Sequence, residues 1–125
     1  MSPPLFDLTL TEEQRITRES MRRLARDTLS NQARAADDAA AADAGLLDAI
    51  SGFGLALMPM PEALGGVGMP RSPLSNALAV EDLAQGDMSH TLAALQPLSA
   101  VNALMDFADE QQQERWLPAL ASETF

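Results

Sequence analysis

Leu10, Thr17, Met21, Leu24 and Thr28 recur at spacings of seven, four, three and four, a period that sets all five on one stripe of a helix. Thr11-Glu12-Glu13-Gln14 stands at the head of that stripe. It fits the capping box, in which the Thr hydroxyl accepts from a first-turn amide and the Gln reaches back to the cap's own amide. A helix is expected to start there. Arg15, Arg18, Arg22 and Arg26 fall on a second face roughly opposite the stripe, and Glu19 and Arg23 are spaced as an i,i+4 pair. The arginine row reads either as a solvated face or as a docking surface for an acidic neighbouring domain or subunit. Residues 33–44 are nearly all Ala and Asp, which continues a helix without specifying much packing.

A second helix is expected from about Asp43, burying Leu46, Ile50 and Phe53 and closing at Gly52 or Gly54. The pattern then changes. Residues 54–73 contain four Gly and four Pro, interleaved with Met58, Met60 and Met69. That segment is too broken for regular structure and too apolar for disorder, so an ordered, functional loop is expected. The methionines read first as core filling and second as an adaptable apolar binding wall. Ser72-Pro73 has the form of an N-cap followed by a first-turn Pro, opening a helix that runs to Gly86. Its buried stripe is expected to be Leu74, Ala77, Leu78 and Ala84, with Glu81 in the middle. A carboxylate buried there needs a partner, most simply an Arg from the first helix or the end of a neighbouring helix; a catalytic base is the lesser alternative. Asp87 can cap a fourth helix carrying Leu92, Leu95 and Ser99, with Pro97 predicting a kink or break near Gln96. Asp109, three residues before Gln112, caps a last helix expected to bury Trp116, Leu117 and Leu120 and to be bent or shortened by Pro118. No internal repeat is evident. The whole reads as an all-α domain, an orthogonal or up-down bundle of about five to six helices.

Composition agrees. The apolar fraction of 46% is dominated by Ala and Leu, there is no Tyr, and Val occurs only at Val67, Val80 and Val101, which suits packed helices better than strands. At 125 residues the chain is one domain by size, with enough surface to bury for a proper core. Acidic residues outnumber basic ones 18 to 8, for a formal charge of −10. Such a surface repels phosphate backbones and anionic lipids, so neither a nucleic-acid partner nor a membrane-surface role is expected. Met1, Ser2, Pro3 and Pro4 form no basic, apolar leader, and no stretch approaches the roughly 18 apolar residues of a membrane span. A cytoplasmic protein is the simplest expectation.

The chemistry-bearing motifs are few. With no Cys, thiolate catalysis, disulfides and Cys-based metal sites are excluded. Gly65-Gly66-Val67-Gly68 looks like a phosphate loop, but no strand precedes it, no third Gly follows at dinucleotide spacing, and the chain has no Lys. One histidine, His90, cannot make a two-histidine zinc motif. Ser89 and His90 are adjacent, so on a helix they point about 100° apart and cannot pair as nucleophile and base. His90 reads as a packing or helix-surface residue, and no metal site or catalytic residue is expected.

Four segments, in order, resemble the N-terminal domain of the acyl-CoA dehydrogenase family, and the likeness covers about residues 8 to 123. Leu10-Thr11-Glu12-Glu13-Gln14 resembles the family's opening helix. Residues 54–68, with Pro61-Glu62-Ala63-Leu64-Gly65-Gly66-Val67-Gly68, resemble its "PEEYGGLG" loop, with Leu64 where an aromatic Tyr is usual. Glu81-Asp82-Leu83-Ala84-Gln85-Gly86-Asp87-Met88-Ser89 resembles "EELARGDAS". Phe107-Ala108-Asp109-Glu110-Gln111-Gln112 and Arg115-Trp116-Leu117-Pro118-Ala119-Leu120-Ala121-Ser122-Glu123 resemble "FGTEEQ" and "RYLPxLASGE".

The resemblance implies a flavoenzyme of three domains: an N-terminal helical domain, a middle β-domain and a C-terminal helical domain. FAD lies mainly between the last two, and the catalytic Glu belongs to the third. It follows that residues 1–125 are a single helical domain, with the β-domain and C-terminal domain absent from this chain. The expected role is one wall of an acyl-CoA pocket for α,β-dehydrogenation, with Thr91, Leu92, Leu95, Gln96 and Ser99 on the acyl-chain side. Pro97 departs from the family pattern inside that helix. The chain alone is expected to be inactive, and the whole enzyme, of fatty acid metabolism, to be a homo-oligomer, dimer or tetramer. Two alternatives stay open: the same domain in a flavin-dependent monooxygenase of the superfamily, and a non-catalytic partner subunit docking through its arginine face.

Overall fold

Thr11 opens the first helix with a reciprocal pair: its Oγ1 accepts from the Gln14 amide at 3.2 Å, and its own amide donates to Gln14 Oε1 at 3.0 Å. A computed structural model describes residues 9–122 of the chain. In it α1 (Glu12–Leu24) continues without a break through a π-helical segment (Ala25–Leu29) into α2 (Ser30–Ala39). There follow α3 (Ala44–Ser51), a 3₁₀ turn (Glu62–Leu64), α4 (Pro73–Ala84), α5 (Met88–Phe107) and α6 (Glu110–Ser122). Counting the first continuous run once, five helices make the domain, and no strand occurs among the described residues. Residues 1–4, on which the leader reading rests, and residues 123–125 lie outside them.

The caps expected at Thr11, Ser72, Asp87 and Asp109 are present, and Asp43 supplies one beyond those expected. Asp43 accepts from the Leu46 amide, Ser72 from Ser75 with Pro73 in the first turn, Asp87 from His90, and Asp109 forms a second reciprocal box with Gln112. Each supplies an oxygen to an amide that has no partner within its own helix. Pro97 and Pro118 lie inside continuous helices, so of the kink or break expected near Gln96 the break does not occur. A proline removes the bond to the carbonyl four residues earlier. Those carbonyls belong to Ala93 and Glu114, both exposed residues.

Met21, Ala25 and Leu29 are buried in the first run. Residues four apart drift by about 40° per step on a regular α-helix; the wider π turn lets all three face the same neighbours. This core is completed by Leu46 and Ile50 of α3, Ala79 and Leu83 of α4, and Ala94 of α5. Gly86 brings the α4–α5 turn hard against it: an added Cβ would lie 2.6 Å from both the Ala25 carbonyl oxygen and the Leu29 Cβ. A second cluster holds Met60 of the loop, Val101 of α5 and Leu117 of α6. Core filling is therefore the role of Met60.

Two helix faces differ from expectation. On α4, Leu74, Ala77 and Glu81 are exposed, and Ala79, Asp82 and Leu83 are buried. The buried carboxylate is Asp82, at 0% side-chain exposure, while Glu81 is 63% exposed. Its partners are Arg18 and Arg22 of α1. Those two side chains thus face α4 rather than forming a free cationic surface. On α6, Leu117 is buried but Trp116 is 48% exposed, with the Arg115 guanidinium 4.7 Å over its ring.

Candidate functional site

Asp87 sets where α5 begins. Its Oδ1 accepts from the His90 amide at 2.9 Å, its Oδ2 meets the His90 ring Nδ1 at 2.9 Å, and its carbonyl accepts from the Thr91 hydroxyl at 2.6 Å. Burial pushes the Asp87 carboxyl up, but hydrogen bonds from the His90 amide and ring and the Ser89 amide prevail and hold it below its ordinary value. The first turn of α5 is thereby fixed at three points.

From that start the five residues of the acyl-side expectation share one side of α5. Thr91, Ala94, Pro97 and Val101 form the buried face. Leu95 is half-buried at its flank, and Leu92, Gln96 and Ser99 point away from the core at helical spacing. Leu92 is 52% exposed and Met88, one turn earlier, 54%. Leu95 also lines an apolar hollow of about 320 Å³ with Leu98 of α5, Ile50 of α3, Gly54 and Leu57 of the loop, and Leu120 of α6. Asp48, exposed at the rim, is the one ionisable side chain on that lining. The hollow is lined mainly by apolar side chains.

The loop of residues 54–73 is ordered by its own backbone. The amides of Gly65, Gly66, Val67, Gly68 and Met69 donate to the carbonyls of Glu62, Pro61, Leu57, Met60 and Met58 respectively. A Cβ on Gly66 would come 2.0 Å from the Met60 carbonyl oxygen, so only Gly permits this fold-back. Arg71, near the loop's end, grips Asp106 of α5 through two bonds of 2.9 and 2.6 Å.

The sequence model described as "Acyl-CoA dehydrogenase, N-terminal domain" matches residues 11–124. The chain belongs to that family. No curated protein sequence matches it. The all-helical fold is the one expected of an acyl-CoA dehydrogenase N-terminal domain.

Members of this family are generally flavin-linked, so the described residues can be tested as an FAD site. A diphosphate needs free amide donors or unpaired cations; the glycine loop's amides are spent internally, Arg18 and Arg22 are committed to Asp82, and Arg71 to Asp106, so neither that loop nor these three arginines offers one. No group of three or more His, Asp or Glu among the described residues could hold a metal ion. No helix among them is long and apolar enough to cross a membrane.

Sequence reasoning missed Asp82 and the ring contacts of His90. For Asp82 a signal existed, since Glu81 and Asp82 are adjacent and either could meet an Arg of α1. For His90 the signal was half local: Asp87, which meets Nδ1, stands three residues earlier, whereas Asp43, which donates to Nε2, is 47 residues away.

Proposed function

We propose that this domain forms one wall of the acyl-CoA pocket of an FAD-dependent acyl-CoA dehydrogenase. Thr91, Leu92, Leu95, Gln96 and Ser99 lie on the acyl-chain side, and the loop of residues 54–73 closes the pocket's edge. The observation that carries this reading is the outward face of α5, where Met88 and Leu92, one turn apart, are each more than half exposed, together with the separate hollow lined by Leu95. Adjacent exposed apolar side chains and an apolar hollow both suit a cover. In a family of acyl-CoA enzymes a thioester's hydrocarbon chain and the neighbouring domains supply one.

These side chains act by shape and dielectric. Uncharged walls exclude water from the reacting carbons, which strengthens every electrostatic contact made there. FAD and the base that takes the α-proton belong to parts of the flavoenzyme outside the described residues, its β-domain and C-terminal helical domain. The enzyme works in the cytoplasm, in fatty acid metabolism, as a homodimer or tetramer, and the 125-residue chain by itself has no activity.

The test is anaerobic flavin reduction, in the flavoprotein that carries this domain, by saturated acyl-CoA thioesters of increasing chain length. Leu95→Trp should shift the preferred length downward, leaving the fold intact. An unchanged length profile, or no bleaching by any acyl-CoA, would sink the assignment.

A further inference from the structure

His90 is almost fully buried, at 5% exposure, yet it packs as a polar bridge. Its Nε2 accepts from the backbone amide of Asp43 at 2.9 Å, and its Nδ1 lies 2.9 Å from Asp87 Oδ2. An amide can only donate, so Nε2 must carry the lone pair. The proton of the neutral ring is therefore on Nδ1, pointing at the Asp87 carboxylate. Among the described residues this Asp43–His90 bond is the only hydrogen bond that ties residues 41–43 to α5.

The turn it holds is strained. Ala40 ends α2 at a φ of 50°, the left-handed conformation that a side chain disfavours. Residues 40–45 are exposed, so burial does little to hold the turn. Beside the ring lies a cavity of about 300 Å³ lined by Ala36, Asp37, Ala41, Asp87 and Ala93 among others, which gives water and protons a path to Nε2.

We propose that His90 is a proton-sensitive latch joining the α2–α3 turn to the first turn of α5. Taking up a proton and accepting from Asp43 use the same lone pair, so the two events exclude one another. By linkage each opposes the other. The ionisable groups nearest the ring are acidic: Asp87 from the α5 cap, which meets Nδ1, and Asp37 from α2 on the same cavity, with no basic side chain on the cavity lining. As pH falls, His90 turns from acceptor to donor at Nε2 and confronts the Asp43 amide donor to donor. The bond breaks, and the strained turn detaches while Asp87 keeps its hold on the Nδ1 side.

The experiment is nitrogen-15 NMR of the 125-residue chain from pH 8 to pH 5. Two readouts are followed together: the ring-nitrogen shifts of His90 and the hydrogen-exchange protection of the Asp43 amide, corrected for intrinsic exchange. The expected result is an Nδ1–H neutral tautomer at pH 8 and a loss of Asp43 protection of about five- to tenfold as the ring gains its proton, with the Val101 amide unmoved. His90→Gln keeps an acceptor that cannot titrate, so its Asp43 protection should be independent of pH; His90→Phe should leave Asp43 unprotected throughout. An Nε2–H tautomer at pH 8, a ring that does not titrate above pH 5, or Asp43 protection that stays constant through the ring's titration overturns the proposal. Each of these three outcomes is read on the unmodified chain and does not depend on how well either variant folds.

Discussion

Arg18 of α1 forks onto Asp82 of α4, with Nε 2.6 Å from Oδ2 and Nη2 2.8 Å from Oδ1. Arg22, one turn on, adds a bond of 2.8 Å to the same Oδ1. Burial pushes the Asp82 carboxyl up, but the hydrogen bonds and charges of the two arginines outweigh it and hold the group below its ordinary value. Asp82→Asn keeps the volume and removes the charge that both arginines need. It should cost about 2–3 kcal/mol at neutral pH, less than breaking a fully buried pair does, because both arginines retain some contact with water.

The same relationship predicts a pH dependence. A carboxyl whose folded value is depressed contributes stability that is complete above its unfolded value and is lost as pH falls through the folded one. For Asp82 the loss therefore begins near the ordinary carboxylate value of about 4 and continues below it. Urea unfolding of the wild type and Asp82→Asn should show a wide gap in midpoint at pH 7 that narrows at pH 3. A gap of equal size at both would mean that the carboxylate's charge is not what binds α1 to α4.

How much of this was legible in the sequence follows from the range of the interactions. The caps at Thr11, Ser72, Asp87 and Asp109 were all readable because each is completed within three residues of its own position. The buried face of α4 was not. Leu74, Ala77, Leu78, Val80 and Leu83 surround that helix with apolar side chains, so periodicity does not choose between Glu81 and Asp82. The choice is made elsewhere, by Gly86 admitting the π segment and by Arg18 and Arg22 arriving from α1. On α5 helical spacing picked out Leu92, Leu95 and Ser99 but gave them no role, and only the likeness of the chain's motifs to a family suggested an acyl-chain side and added Thr91 and Gln96 to it.

Gly66 makes a second prediction. Its Cα lies against the backbone of Met60, so an added methyl meets a carbonyl that cannot swing aside. Gly66→Ala should cost about 3 kcal/mol, the upper end for overpacking, and should open the loop. Thermal denaturation would read the first effect. Faster amide exchange at Val67, Gly68 and Met69, whose donors are spent on Leu57, Met60 and Met58, would read the second. Unchanged exchange at those three amides would contradict the account of the loop.

Leu117 and Trp116 are neighbours on α6 with opposite surroundings. Leu117 is fully buried against Met60 and Val101, whereas Trp116 is half exposed under Arg115. Leu117→Ala should therefore cost about 2–5 kcal/mol, and Trp116→Ala less despite the larger side chain lost. Because Leu117 and Met60 share a cluster, the double variant with Met60→Ala should lose less than the two single losses added together. Chemical denaturation of the four proteins checks both statements; a costlier Trp116→Ala would place the second core elsewhere.

The five residues of α5 proposed for the acyl side divide by what the fold asks of them. Thr91 is fully buried and its hydroxyl donates to the Asp87 carbonyl, so Thr91→Val, equal in volume, should cost about 1 kcal/mol of stability. Leu92, Gln96 and Ser99 contact solvent, so Leu92→Ser, Gln96→Ser and Ser99→Ala should each leave the stability of this chain within about 0.5 kcal/mol. A fold that does not need Leu92 gains nothing from exposing it. If Leu92→Ser is neutral for stability and yet weakens acyl-CoA binding in the parent flavoprotein, the residue is held there for the substrate. If it destabilises the chain as a core substitution would, the face is packing, and the pocket must be sought on another side of α5.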